Sequence, residues 1–286
     1  MSFFMILYTY TMKTKETKHK DKAENNKKPH FSIYERCIKR FLDVFLSLFA
    51  LIVLSPLLLI IVIVLKCTLK KNIVFSQYRP GKNGVPFKLY KFRSMTNALN
   101  EKGELLPDEK RLTKFGAFLR KMNLDELPQL INIIKGDMSI IGPRPRLIKD
   151  MVFYDERVMR AYSVRPGLSG LSQVTGGRSK SSWEEIFEKD LEYVDNITFF
   201  NDLKILIKTV FIMFTPKGRC GNSNTSYREY YYADYLLKTG KITQEEYAQG
   251  IKLANQIIHN AQNKSKTSQS LPIGEMQEVT SYYEDN

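Results

Sequence analysis

Histidine is scarce in this chain and poorly placed. Three occur in 286 residues: His19 and His30 in a polar N-terminal tract, and His259 in the C-terminal tail. A serine or cysteine hydrolase with an imidazole base has almost no material to work with. Cysteine is equally thin. Cys37, Cys67 and Cys220 are odd in number, far apart and form no CxxC, which excludes a disulfide framework and a zinc site. The phosphate loop GxxxxGK[ST] and the dinucleotide turn GxGxxG are both missing, so the common nucleotide-fold signatures are excluded too. The chain has no internal repeat. Its chemistry therefore falls to carboxylates and cations.

Cations are in surplus. The chain has 44 Lys and Arg against 30 Asp and Glu, a formal charge of +14. Residues 13–30 hold seven Lys and three acids, and residues 221–286 hold six basic and eight acidic residues. The body, essentially 31–220, carries 31 basic and 19 acidic residues, net +12. A basic body calls for an anionic partner: nucleic acid, a phospholipid surface or a phosphorylated substrate. Charge alone does not choose among them. At 43% hydrophobic and 26% charged, the chain is neither disordered nor a multi-span membrane protein.

One long apolar run stands out. Residues 41–65, FLDVFLSLFALIVLSPLLLIIVIVL, carry a single charge, Asp43. As a straight helix at about 1.5 Å per residue the run would extend about 37 Å, enough to cross a bilayer core of roughly 30 Å. Ser55-Pro56 lies near its middle, where proline removes a helix hydrogen bond and bends the chain. Both flanks are basic, with six Lys/Arg in 21–40 and five in 66–85, whereas a spanning helix shows an asymmetry. A helix-break-helix that returns to the same face and a kinked single span both fit these residues. The first twelve residues lack a leading basic region and a cleavage site, and do not read as a signal peptide. The Lys-rich 13–30 tract reads as a linker near anionic lipid.

Beyond the apolar run, Ile73 to Gln77 and Val85 to Phe92 read as strands of a β-hairpin, with turn signals at Pro80-Gly81 and Asn83-Gly84. It bears Arg79, Lys82, Lys88, Lys91 and Arg93; for Lys82 and Lys88 a solvated basic surface is the expected role. Residues 113–135 are helical in period and interrupted at Asn123, with Asp125-Glu126 just past the break. Helix capping by Asn123 or Asp125, with Pro128 in the first turn, accounts for this pattern by itself.

The surroundings favour chemistry. Arg120 lies five residues before Asp125. Gly142, Pro143 and Pro145 stiffen a loop that carries Arg144 and Arg146, and residues 164–178 form another Pro/Gly-rich loop ending at Arg178. Guanidinium forks on stiff loops suit phosphate recognition. A carboxylate can attack phosphorus when a divalent metal and cations neutralise the charge between them, and Mg²⁺ favours one or two carboxylates plus substrate phosphate. The two acids would divide the roles of nucleophile and metal or orienting group.

Lys39-Arg40, Phe41-Leu42-Asp43, Ser55-Pro56, the run from Gln77 to Met95, LDELPQL (124–130), GDMS..GPRP (136–145) and VRPG (164–167) occur in a specific order and spacing. Over about 33–215 the chain thereby resembles the bacterial sugar transferases, small monotopic polyprenyl-phosphate phosphoglycosyl transferases. The resemblance implies an α+β, mainly helical, monotopic membrane protein on the cytoplasmic face of the bacterial inner membrane. It would have a re-entrant helix-break-helix at Ser55-Pro56, a small β-hairpin and amphipathic interfacial helices. It implies transfer of a sugar-1-phosphate from a UDP-sugar to undecaprenyl phosphate, with release of UMP, through a covalent phosphosugar-aspartate. Asp125 would be the nucleophile and Glu126 its dyad partner, the two near Mg²⁺. Arg120 and Arg144 match phosphate-binding arginines of the family, with Arg146 beside them; Arg40 and Asp43 would serve placement. Nucleic acid drops out as a partner. A membrane-tethered polyanion-binding adaptor and a conventional glycosyl transferase releasing UDP are the rival classes.

The chain departs from the family where Gly170-Leu171-Ser172-Gln173-Val174 lacks an aromatic that many relatives have. The expected divisions are a basic extension (1–32), the membrane helices (33–70), a catalytic domain (71–219) and a C-terminal extension (220–286). The extension contains Tyr227, Tyr230, Tyr231, Tyr232 and Tyr235 and a helical stretch around 243–263, and reads as a docking or homo-oligomer contact.

Overall fold

A computed structural model of the chain describes residues 33–69, 72–175, 181–214 and 231–270. The expected basic linker, Arg178, Cys220, Tyr227, Tyr230 and the polar tail lie outside the described residues. The described part is mainly helical with two small sheets.

A π-helical turn, Tyr34–Ile38, leads into helix α1, Lys39–Val53, and α2, Ser55–Leu69, follows at once. The two are bent by 64° at the break. The break falls at Leu54, one residue before the expected Ser55-Pro56. Proline is tolerated in a first helical turn, where its missing N–H has no intrahelical partner to lose. Ser55 Oγ donates to the Ile52 carbonyl at 2.8 Å, alongside the Leu54 N–H at the end of α1. Among the described residues no single helix is long and apolar enough to cross a membrane, but the bent pair together is, by length and composition.

The period of α1 assigns its two faces. Phe41, Phe45, Phe49 and Ile52 recur at helical spacing and are exposed, while Asp43 and Ser47, four residues apart, are buried. Asp43 Oδ1 accepts the Ile140 N–H at 2.9 Å. Arg40 donates to the carbonyls of Ile133 and Ile134 in the last turn of α4, Gln129–Lys135. The Ile133 carbonyl also takes the Gly136 N–H, and a forked cation at this helix end adds hydrogen bonds and a favourable charge. Arg40→Ala should lower the unfolding free energy by about 2 kcal/mol. Arg40→Lys should recover only part, because an ammonium lacks the fork. Denaturant titration of the two variants checks this, and equal stability of Arg40→Ala and the parent would refute it.

Strand β1, Val74–Pro80, pairs antiparallel with β2, Pro86–Phe92. β1 runs three residues past the expected Gln77 and so places Arg79 opposite Phe87 in the ladder. Pro80 and Pro86 face each other at the ladder's end, where proline costs little. Phe87 and Leu89 pack with Leu130, Ile133 and Met138, and Ile61 and Leu65 of α2 pack with Phe92 and Leu119. Asn132, fully buried, takes the Tyr90 N–H on Oδ1 and gives Nδ2 to the Lys88 carbonyl. It acts as a strand partner to β2 from within α4.

Two three-residue strands, β3 (Ser139–Ile141) and β4 (Gly167–Ser169), pair in parallel. Both lie in segments expected to be loops; three residues are too few for strand alternation to be read. Further helices are α5 (Ile148–Met151), α6 (Leu171–Thr175), α7 (Trp183–Asp195), α8 (Phe199–Phe214), α9 (Tyr232–Lys238) and α10 (Gln244–Ser270). α10 is longer than the expected 243–263. Ala254 and Ile257 of α10 share one core with Ile148, Met151, Tyr154 and Phe187, and Tyr232 packs against it. The C-terminal extension is thus docked on the body of the same chain.

Candidate active site

The site is built around the break between helix α3 (Lys114–Lys121) and α4. Asn123 has φ 54°, in the left-handed region, which asparagine enters more readily than most residues. A single 3₁₀ turn, Leu124–Glu126, follows before α4 begins. The capping expectation is corrected here. Pro128 stands at the N-cap of α4, and neither it nor Asn123 makes a side-chain cap hydrogen bond. Asp125 and Glu126 are instead turned inward, 8% and 9% exposed.

Glu126 is held by two cations. Lys91 Nζ and Arg144 Nη2 each donate to its Oε1 at 2.8 Å. Burial raises the Glu126 carboxyl, but Arg144 and Lys91 outweigh it and hold the group well below the usual carboxylate range. Asp125 goes the other way. Burial raises its pKa and the charge of Glu126 adds to that, with Lys91 and Arg120 opposing. Burial also lowers Lys91, with Glu126 opposing. Two adjacent carboxylates are thus driven apart: one firmly ionised and committed to cations, the other poorly solvated and more basic.

The structure brings Arg120 and Arg144 to this pair. Arg120 Nε donates to Ser94 Oγ at 2.7 Å, and its charge acts on Asp125. Arg146 is turned aside, 3.4 Å from Asp190 Oδ2 and over the Trp183 ring. Lys82 and Lys88 are exposed. Lys91 was not singled out from sequence, yet a signal was there. It continues the inward register of Phe87 and Leu89 at two-residue spacing, and a lysine on a buried face needs a partner.

Close backbone contacts set the Arg144 loop. A Cβ on Gly167 would stand 2.1 Å from the Gly142 nitrogen. Gly167→Ala must therefore part β3 from β4 and shift the loop that carries Arg144. We expect a loss of about 1–3 kcal/mol in stability together with reduced turnover, read from melting and activity of the same sample. An unchanged melting point would contradict the packing described. A cleft of about 300 Å³ lies at the base of α1, with Lys39, Arg40, Asp43, Lys82 and Arg165 in its lining. Three of these cations are engaged within the fold: Lys39 with Asp202, Arg40 with α4, and Arg165 with the Gly136 carbonyl.

A buried carboxylate pair under converging cations brings a carboxylate oxygen and positive charge to one place. Residues 34–216 match the family described as bacterial sugar transferase, and the chain belongs to that family. It is 46% identical over 181 residues to the uncharacterized sugar transferase EpsL of Bacillus subtilis (strain 168), which covers 63% of this chain and 89% of that protein. It is 38% identical over 197 residues to the exopolysaccharide production protein ExoY of Rhizobium meliloti (strain 1021), 63% of this chain and 87% of that one. Similarity to the UDP-glucose:undecaprenyl-phosphate glucose-1-phosphate transferase of Escherichia coli (strain K12) is 38% over 192 residues. The match covers 64% of this chain but 41% of that protein's length.

Proposed function

We propose that the protein transfers a sugar-1-phosphate from a UDP-sugar to undecaprenyl phosphate, releasing UMP, in exopolysaccharide or capsule synthesis. The observation that carries this reading is the split pair: Glu126 bound by Lys91 and Arg144, beside a buried Asp125 of raised pKa. The name of the Escherichia coli relative supports the donor and acceptor classes, and that of ExoY supports exopolysaccharide synthesis. In the first half-reaction an Asp125 oxygen attacks the phosphorus that bears the sugar. The bond from that phosphorus to the bridging oxygen breaks, and UMP leaves with the electron pair. In the second, a phosphate oxygen of undecaprenyl phosphate attacks the same phosphorus, the bond to Asp125 breaks and the carboxylate is restored. Weak solvation makes the Asp125 oxygen a better nucleophile, and Arg120 and Arg144 are placed to neutralise phosphate oxygens.

The donor set suits Mg²⁺. Asp125 and Glu126 offer hard oxygens, and both cations converge on only one oxygen of Glu126. Among the described residues no group of three or more His, Cys, Asp or Glu could hold a metal. An ion held by Asp125 and Glu126 would complete its shell with substrate phosphate and water, which is usual for Mg²⁺. When bound it would supply charge neutralisation between the carboxylate and the donor phosphate.

We further propose that α1 and α2 form a re-entrant hairpin in the inner membrane from the cytoplasmic face. Phe41 at 68% and Ile52 at 72% exposure, with Phe200 and Phe211 of α8, give the body an apolar surface for lipid. The test of function is product analysis with undecaprenyl phosphate and a panel of UDP-sugars. UMP with at least one donor is expected; UDP as the nucleotide product would make this a conventional glycosyl transferase and end the proposal.

A further inference from the structure

Next to the dyad is a cavity of about 150 Å³ whose walls include Arg79, Arg144, Arg146, Asp150, Trp183 and Tyr231. Its electrostatics are unusual. Arg144 is committed to Glu126 and Arg146 to Asp190. Among the described residues Arg79 has only a neutral hydrogen-bond partner, donating to Gln77 Oε1 at 2.9 Å, and its Nε is buried with no hydrogen-bond partner. Burial and then the charge of Arg144 pull Arg79 down to about 10. The Asp150 carboxylate, which accepts the Ala233 N–H on Oδ1, acts on Arg79 without forming an ion pair with it among the described residues. A partly buried guanidinium with no ion pair, beside a second guanidinium, is stabilised by an anion placed between them.

The outer wall comes from outside the family match, which ends at 216. Tyr231 is fixed there by Lys149, whose Nζ lies 3.5 Å from its ring centroid and 3.3 Å from Asp234. Tyr247 OH donates to the same Asp234 at 2.8 Å. The next residue, Tyr232, packs edge-on to Trp183 at 5.3 Å. Two aromatic rings therefore bound a space whose floor is cationic. Lys91 and Arg144 line this space and also bind Glu126, so the cavity lies beside the carboxylate pair.

We propose that this cavity receives the nucleoside-monophosphate half of the donor, its phosphate on Arg79 and its pyrimidine ring against Trp183 and Tyr231. The inference rests on the donor reading above and adds a role for the C-terminal extension: Tyr231 is a specificity-determining wall of the donor site. A volume of about 150 Å³ is below that of pockets that enclose a whole ligand, so the sugar half lies outside it, toward Asp125.

The chain has one tryptophan, so Trp183 fluorescence reports on the cavity directly. Full-length protein in lipid nanodiscs is titrated with UMP and with uridine. UMP should change Trp183 emission, and saturating undecaprenyl phosphate should leave that titration in place. Arg79→Gln should weaken UMP about tenfold or more without weakening uridine. Tyr231→Ala should weaken both about fivefold or more. In turnover, both variants should raise KM for the UDP-sugar by more than they lower kcat. UMP titrations of both variants that superpose on the parent overturn the assignment, as does displacement of UMP by the lipid phosphate. If Arg79→Gln fails to fold, Tyr231→Ala, at a half-exposed position, decides by itself. A parent that turns over a UDP-sugar while Tyr231→Ala keeps its KM overturns this cavity alone. A parent that turns over no UDP-sugar and shows no response to UMP overturns the donor reading as well.

Discussion

Asp125→Asn should lower UMP release from a UDP-sugar by on the order of 10³-fold or more, because it removes the attacking oxygen rather than weakening a contact. The same substitution should leave stability within about 1 kcal/mol of the parent. The reason is the direction of the Asp125 shift. Burial works against its ionised form, so a neutral amide of the same shape costs the fold little and relieves its proximity to Glu126. Loss of turnover with an intact melting curve and unchanged membrane retention would separate chemistry from folding. Normal turnover by the variant would mean that Asp125 does not carry the phosphosugar. A labelled phosphosugar, donated from the β-position of the UDP-sugar, should remain attached to the parent protein when the acceptor is withheld, and not to the variant.

What could be read from sequence followed the length over which each signal extends. The apolar run of 41–65 announced a bent pair of helices, and the structure moves the break by one residue. Asn123 interrupts a long helical period, and its left-handed backbone explains why the two acids land on a 3₁₀ turn instead of a helix face. The resemblance singled out Asp125, Glu126, Arg120 and Arg144, and these do assemble. What escaped depends on partners distant in sequence. Lys91 reaches Glu126 across 35 positions and Arg146 reaches Asp190 across 44. Arg79 reads from sequence as one more charge on a basic hairpin, whereas β1 extends through it and it lines the cavity beside the dyad. The parallel pairing of β3 with β4 left no periodic trace. Its cause is legible only in hindsight, in glycines at 142 and 167 that let two backbones approach.

The second large effect concerns Glu126. Its Oε1 is the shared acceptor of Lys91 and Arg144, and Arg79 adds a third cation within the same region. Glu126→Gln keeps the volume but leaves these charges facing one another with burial still acting on them. Removing one partner from a buried ion pair costs about 3–5 kcal/mol. For a domain of this size that corresponds to a melting point lower by very roughly 6–20 °C. Turnover should also fall, since Arg144 loses the contact that aims it at the dyad. The loss should be partly reversible by an anion. Millimolar inorganic pyrophosphate should raise the melting point of Glu126→Gln more than that of the parent, because it replaces a charge the parent already has. Glu126→Asp, which keeps the charge on a shorter stem, should fall between the two. A Glu126→Gln protein that melts with the parent, and responds to pyrophosphate no more than the parent does, would show that Lys91 and Arg144 do not depend on this carboxylate.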